Sequence, residues 1–373
     1  MSKGWTAINN DNDSKLITHN SKLILGIDTS CDDTSAAVVA DGNKILSNIV
    51  SSQTEIHKKY GGIVPELASR MHIEMIAPVV DEALKAANLQ LDEIDAIAVC
   101  NGPGLIGSLL VGCGFAKAVG YVRKIPLVAV NHLEGHIFAA FLEGRPEFPF
   151  LSLIASGGHT SLHIVNGFGR YVELGRTRDD AAGEAYDKVA KLLGLGYPGG
   201  PAIDRLTDSG DPKAFDFPRA YVPESFDFSF SGLKTAVKLT VSRHQQEARK
   251  RQAPTEGELK APTVAEAAIS KEMISDIAAS FQAAVVDVLV RKMEWAIVRK
   301  GIKRVVLSGG VSANSGLRKR MTKMAEEREV ELFLPSVALC TDNAAMIAAA
   351  GHHHFIAGDI SGIDLNPKAY LPL

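Results

Sequence analysis

Several kinds of residue and motif are scarce in this chain, and each scarcity excludes something. Only four of its 373 residues are cysteine: Cys31, Cys100, Cys113 and Cys340. They are scattered and never in C-x-x-C spacing, which excludes a zinc ribbon and a disulfide framework and fits reduced thiols in a cytosol. No run approaches the roughly 18–20 apolar residues a membrane span needs, and the opening segment has no apolar h-region. A soluble, cytoplasmic protein with no membrane contact is expected. Arginine is missing before Arg70, while Asp11 and Asp13 stand near the start, so an Arg-rich, acid-poor presequence is excluded. Neither G-x-x-x-x-G-K-[ST] nor G-x-G-x-x-G occurs, so P-loop and Rossmann readings fail at the motif level. Strong charge of one sign is also lacking: the net charge is −3, and a nucleic-acid partner would have to rely on local basic patches or on other subunits.

The chain is too long for one hydrophobic core, and with 46% apolar residues it can bury two. Residues 1–22 read as a disordered tail. Leu23 to Ile27 is a buried-type strand, Asp28 to Ser35 a polar turn, and Ala36 to Ala40 a second strand. Asp41-Gly42-Asn43 is a hairpin turn, and Lys44 to Val50 a third strand. Helical periodicity runs from about Pro65 to Ala87. A strand, a glycine-rich turn, the helix Ser108 to Tyr121 and the strand Val128 to Val130 follow. From Phe150 the pattern repeats: strand, polar turn Ser156–Thr160, two returning strands, and a helix around 181–193. Much later come the strand Arg304 to Leu307, the turn Ser308–Asn314 and the helix Ser315 to Arg328. Two β-β-β-α units predict a duplicated α/β fold with a cleft between lobes. Lobe I spans 23–148 with residues 345–373 packing back on it, and lobe II spans 149–344. Between Arg243 and Pro262 apolar periodicity is lost, which predicts a solvated surface insertion at 243–262.

The chemistry starts at Asn131-His-Leu-Glu-Gly-His136. A helix there places His132 and His136 on one face with roughly 5–6 Å between Cβ atoms, close enough to share one cation. A peptidase use of the pair fails because the zincin motif is H-E-x-x-H. Here Glu134 lies two helical steps from His132, about 200° around the axis, and cannot polarise a metal-bound water. The third ligand is best sought among acids at turns. Asp342, just ahead of the small-residue helix 344–350, is either that ligand or an N-cap. A His, His, Asp set with open positions suits Fe(II) or Zn(II). His352, His353 and His354 are consecutive, so on a helix they point about 100° apart and do not converge on one ion. The two S-G-G turns, Ser156–Gly158 and Ser308–Gly310, sit at matching points of the repeat and offer backbone N–H groups to a phosphate or carboxylate. Tyr197-Pro-Gly-Gly-Pro201 with Asp204 is either a ribose-holding loop or a rigid helix terminator. Asp32 and Asp33 are the best acid/base pair, and since neighbours in a hairpin point to opposite sides, at most one should face a cleft ligand.

Taken together, the motifs closely resemble the TsaD family, the tRNA threonylcarbamoyladenosine transferases once classed as O-sialoglycoprotein endopeptidases. The resemblance rests on Leu25-Gly-Ile-Asp-Thr-Ser-Cys-Asp-Asp-Thr34, Tyr60-Gly-Gly-Ile-Val-Pro-Glu-Leu-Ala-Ser-Arg70, His132 to His136, Ser156-Gly-Gly-His-Thr160, Asp179 to Lys188, Tyr197 to Pro201, Phe228-Ser-Phe-Ser-Gly-Leu-Lys-Thr235, Gly309 to Asn314 and Thr341-Asp-Asn343. It covers residues 23 to 373 in order. It implies the actin-like ATPase fold of sugar kinases, Hsp70 and actin, with two duplicated lobes around a cleft. It also implies transfer of a threonylcarbamoyl group from threonylcarbamoyl-adenylate to the exocyclic amine of the adenosine 3′ of the anticodon, in tRNAs reading codons that begin with A. TsaB-like and TsaE-like subunits are the implied partners. By motif match His132, His136 and Asp342 bind the metal, Fe(II) ahead of Zn(II). Ile154, Ala155, Ser156, Gly157, Gly158, Asp187, Gly200, Asp204 and Asn314 line the adenylate site. Asp32, or else Asp33, would be the base. Asp28 stands where the family commonly has glutamate, and Asn131 where some relatives have histidine. A metallopeptidase, a small-molecule kinase on the same fold and a non-catalytic scaffold are the rival classes.

Overall fold

The computed structural model describes residues 5–7, 21–222, 224–251 and 269–373. In the first half, β1 (Trp5–Ala7), β2 (Leu23–Asp28), β3 (Asp33–Ala40) and β4 (Lys44–Ser52) are followed by α1 (Thr54–Lys58) and α2 (Pro65–Ala86). Then come β5 (Ala96–Gly102), α3 (Ile106–Arg123), β6 (Leu127–Asn131) and α4 (His132–Phe138). The second half carries β7 (Phe150–Ala155), β8 (Thr160–Gly167), β9 (Arg170–Arg176), α5 (Ala182–Leu192), α6 (Gly199–Leu206), α7 (Ser231–Arg251) and α8 (Lys271–Lys300). It closes with β10 (Arg304–Ser308), α9 (Ser315–Arg328), β11 (Glu331–Phe333), α10 (Val337–Cys340) and α11 (Ala344–Ala357).

These strands form two mixed sheets, ordered β1-β4-β3-β2-β5-β6 and β11-β10-β7-β8-β9. Without the extra edge strand β1, the two orders are the same arrangement read from opposite ends. In each, three strands form an antiparallel meander and two parallel strands follow on the far side of the first. The duplication expected from the repeated pattern is present strand for strand. Asp41 and Gly42 both have positive φ (52° and 72°) in the three-residue connection between the paired Ala40 and Lys44, a backbone region that glycine and aspartate tolerate in tight hairpins.

β2 lies deep in its sheet and all six of its residues are buried, because α2 and α3 cover one face and α11 the other. That is why it reads as an unbroken apolar run and not an alternating one. Gly26 lets α11 approach: a Cβ there would collide with the carbonyl oxygen of Ala344. Beyond α11 the chain returns along the first sheet, where Ser361 N donates to Leu127 O at 2.8 Å and Lys368 N to Asn101 O at 2.7 Å.

Two expectations change. Within the tail expected at 1–22, Trp5–Ala7 is a strand that pairs antiparallel with residues 49–51 of β4, whose outer edge was otherwise open; residues 1–4 and 8–20 lie outside the described residues. The insertion expected from 243 begins as helix, since α7 runs on to Arg251; Gln, Glu, Ala, Arg and Lys are strong helix formers whatever their apolar period. Residues 252–262 lie outside the described residues. Helix α8 is apolar and long enough to cross a membrane by length and composition, but 72% of its most apolar window is buried as the central helix of the second lobe's core.

Candidate metal centre in the cleft

Asn131 ends β6 and caps α4, its side chain accepting a bond from Leu133 N at 2.8 Å, so the helix starts at His132. All seven α4 residues are buried, because α4 is wedged between α11 and the start of the second sheet. One turn apart, the His132 and His136 rings meet at 4.7 Å between centroids, inclined by 73°. Asp342, in the turn between α10 and α11, brings Oδ1 to 3.5 Å from His132 Nε2 and 3.3 Å from His136 Nε2. The alternative of Asp342 as an N-cap fails: Asn343 caps α11, accepting from Met346 N at 3.1 Å. The Asp342 carboxylate is left facing the histidines.

The donor atoms of His132, His136 and Asp342 lie within 4.8 Å of one another. Among the described residues, neither ring nitrogen of fully buried His136 has a hydrogen-bond partner, an expensive state for an imidazole unless another group occupies the site. His132 is oriented from behind. Its Nδ1 lies 3.1 Å from Ser30 Oγ and 3.3 Å from Asp28 Oδ2, which holds the ring with Nε2 facing Asp342. Asp28 therefore reaches His132 despite being a methylene shorter than glutamate. Burial pushes the Asp342 carboxyl up, but His132 and His136 outweigh it and hold the group well below the usual range. Burial likewise opposes charge on His132, yet Asp342 and Asp28 raise it. Two nitrogens and one carboxylate with room for further ligands fit a borderline divalent metal. A second cluster, Asp28, Cys100 and His132, shares His132. Burial, then Asp28, pushes the Cys100 thiol up to about 12, and Asp28 reaches His132 from the side away from Asp342.

Asp33 opens β3 opposite Ser52. Burial, then the neighbouring Asp32 carboxylate, pushes it up to about 7, and its buried Oδ1 has no partner among the described residues. Asp32 is raised by burial and next by Asp342. Behind burial, Asp32 is the leading charge raising Tyr197, and it also contributes to raising Asp187. Asp32 thus acts on Tyr197 more strongly than Asp33, which contributes in the same direction.

On that lobe, Ile154 and Ala155 end β7 and Ser156 to Gly158 form the turn beyond it. Nothing lies within 4 Å of a Cβ built at Gly157, Gly158 or Gly200, whereas a Cβ at Gly309 would strike the backbone of Ala155. The first S-G-G turn is therefore an open wall, and the second is partly a packing device. Tyr197 to Pro201 opens α6 instead of ending a helix, and Asp187 Oδ1 accepts from Gly199 N at 2.7 Å. Asp204 is tied down by Asn314 Nδ2 at 2.9 Å, Gln282 Nε2 at 2.8 Å and Ser315 Oγ at 2.9 Å. The Asn314 side chain also donates to Gln282 Oε1 at 2.6 Å and caps α9 through Leu317 N at 2.9 Å, which occupies its whole amide. Gln282 and Ser30 escaped the sequence reading. The one available signal for Gln282 was a lone polar residue inside the apolar run of α8.

The three consecutive histidines have other partners. His353 stacks on Phe168 at 3.6 Å, and His352 lies against Gly42. His354 bonds Glu134 and Asp359, each at 2.8 Å. Glu134 is buried on the far side of α4 from the ligands and also accepts from the Tyr171 hydroxyl, which agrees with its exclusion as a peptidase base.

Comparison with known proteins adds three findings. Residues 44–349 match the model of the TsaD family, tRNA N6-adenosine threonylcarbamoyltransferase. The chain is 58% identical over 352 residues to the tRNA N6-adenosine threonylcarbamoyltransferase of Thermodesulfovibrio yellowstonii, covering 94% of this chain and 100% of that one. Its counterpart in Caldicellulosiruptor saccharolyticus is 50% identical, with 94% and 98% covered. Among solved structures, HypF from T. kodakarensis superposes with a TM-score of 0.55 at 15% identity, covering 92% of this chain and 49% of HypF. That likeness concerns the fold alone, and the two-lobed architecture is the actin-like ATPase fold.

Proposed function

The chain belongs to the TsaD family of tRNA N6-adenosine threonylcarbamoyltransferases, and on that premise we propose how its cleft performs the transfer. The protein is an acyl-transferring enzyme of tRNA modification. In this reading the donor is threonylcarbamoyl-adenylate and the acceptor the adenosine 3′ of the anticodon in tRNAs reading codons that begin with A. TsaB-like and TsaE-like subunits assist, and the work is done in the cytoplasm.

His132, His136 and Asp342 hold one divalent metal, Fe(II) by preference and Zn(II) otherwise. When bound, it supplies Lewis acidity toward a carbonyl and a hold on the threonyl end of the donor. The open backbone of Ser156 to Gly158, beyond Ile154 and Ala155, lies along the adenylate phosphate. Asp187, Gly200 and Asp204 take the ribose side. Asn314 contributes by fixing Asp204 and the start of α9. The reaction forms a bond from the adenosine N6 to the carbamoyl carbon and breaks the bond from that carbon to the adenylate oxygen, so AMP leaves. The N6 lone pair is delocalised into the ring, and a carboxylate must take its proton. Asp32, whose field reaches both Asp342 and the second lobe, is that base, and Asp33 behind it keeps the pair from carrying two full charges at neutral pH.

The observation that carries this reading is the convergence of two imidazole nitrogens and a carboxylate within 4.8 Å in a chain of this family. Glu134, turned away from that centre, is the observation against a peptidase. The test is mass spectrometry of tRNA nucleosides after depletion of the protein. Threonylcarbamoyladenosine should fall, and an unchanged level would overturn the assignment.

A further inference from the structure

Beside the metal helix lies a cavity of about 780 Å³ whose lining includes Gly158 of the open turn but not Asp187, Gly200 or Asp204. Its inner wall includes Leu133, the neighbour of His132, together with Gly158 and His159, and its mouth carries Arg176, Arg178 and Tyr370. The chemistry of the mouth is uneven. Arg178 is committed to Asp227 at 2.7 Å. Arg176, 54% exposed in its side chain, stands 3.7 Å from Glu173 and donates to the Tyr370 hydroxyl at 3.0 Å. The Tyr370 ring is 69% exposed. It does not hang free, because Asn131, the cap of the metal helix, donates from Nδ2 to Leu371 O at 3.0 Å. The segment carrying the exposed ring is therefore anchored to the residue that starts α4.

An enzyme acting on a base amine inside a stacked loop must draw that nucleotide out of the stack and read it against aromatic and guanidinium planes. We propose that this cavity seats a nucleotide of the tRNA anticodon loop, with the Tyr370 ring stacking on a base and Arg176 leaving Glu173 to meet a backbone phosphate. This inference rests on the tRNA reading above. The cavity is of the size that buries a nucleotide-sized ligand, and its inner wall touches the helix and turn that border the proposed reaction centre. The acceptor then enters past Gly158 and His159, while the donor keeps to Asp187, Gly200 and Asp204. With Arg178 held by Asp227 and only Arg176 able to turn outward, the site contributes one phosphate contact and one stack, not the bulk of tRNA affinity.

The test uses the reconstituted complex with full-length tRNA, comparing wild type with Tyr370→Ala, Tyr370→Phe and Arg176→Ala. Tyr370→Ala should raise the KM for tRNA roughly tenfold, the loss expected for one base stack, and Tyr370→Phe should restore most of it by keeping the ring. Arg176→Ala should weaken tRNA binding and flatten the slope of log K against log salt by about 0.7, one single-strand phosphate contact. Values within twofold of wild type for both alanine variants, in a complex that still makes threonylcarbamoyladenosine, would overturn this site and leave the transfer reading standing. Loss of subunit assembly with tRNA binding by the free chain unchanged would also overturn it, by making the cavity a protein interface. A wild-type complex that makes no threonylcarbamoyladenosine would instead defeat the reading on which it rests.

Discussion

His354 Nε2 lies 2.8 Å from Glu134 Oε2, joining the last long helix of the chain to the face of α4 opposite its metal ligands. Tyr171 of the second sheet donates to the same carboxylate, so one buried acid fixes the rotation of α4 against both halves of the molecule. Its hydrogen bond to Glu134, ahead of an opposing burial effect, raises His354 to about 9 from an ordinary 6.5. A base whose folded pKa is raised contributes stability that is complete below the unfolded value and disappears as pH rises through the folded one. Wild type should therefore lose up to about 3 kcal/mol between pH 6.5 and 9.5 that His354→Ala does not lose. Urea unfolding at both pH values measures this, and parallel pH dependences in the two proteins would refute it.

At the other face of the same helix, the two unpartnered nitrogens of buried His136 should make the site depend on a bound ion. Metal-loaded wild type should melt well above the chelator-treated protein, because a ligand at about 100 times its dissociation constant adds roughly 2.7 kcal/mol. Asp342→Ala should bind little metal by elemental analysis and show no melting shift on chelation. Equal metal content in variant and wild type would remove Asp342 from the ligand set.

Asp33 predicts a pH effect of the same sign in a lower window. Its folded pKa, about 7 through burial and the Asp32 charge, lies above the ordinary 3.8, so the folded state keeps its proton longer than the unfolded one. Stability is then greatest at low pH and falls as pH rises from about 4 through 7. In metal-free protein at pH 8, Asp33→Asn should be more stable than wild type by about 1–3 kcal/mol and should lack that decline. A variant less stable than wild type at pH 8 would contradict the assigned environment.

Much of this arrangement was legible in the sequence, and the parts that were not share a cause. The meander strands, the Asp41–Gly42 turn and the helix at Ser315 announce themselves through local period and turn chemistry. The His132–His136 pair is likewise local, one helical turn. Asp342 as third ligand is not local, and in sequence it cannot be told from a cap. The decision rests on Asn343 accepting the Met346 N–H bond, a matter of one residue that only coordinates settle. Gln282 and Ser30 escaped because each acts by holding another side chain. The strand at Trp5 escaped because pairing to an open sheet edge depends on a partner more than forty positions away.

Gly26 offers the sharpest test of how the fold positions the centre. It lies in the middle of β2, and the carbonyl oxygen of Ala344, together with the backbone N and Cβ of Ala348, occupies the space its side chain would need. Ala344 opens α11 two residues after Asp342, so Gly26→Ala must lift the start of α11 away from β2 and carry Asp342 off the histidines. Overpacking of this kind costs about 1–3 kcal/mol, but the decisive quantity is metal affinity, which should weaken at least tenfold while distant core packing persists. Gly114→Ala on α3 is the control, because nothing lies within 4 Å of a Cβ there; it should raise stability by about 0.5–1 kcal/mol and leave metal binding alone. If Gly26→Ala lost stability yet bound metal as wild type does, the contact between β2 and α11 would hold the sheet together without setting the third ligand.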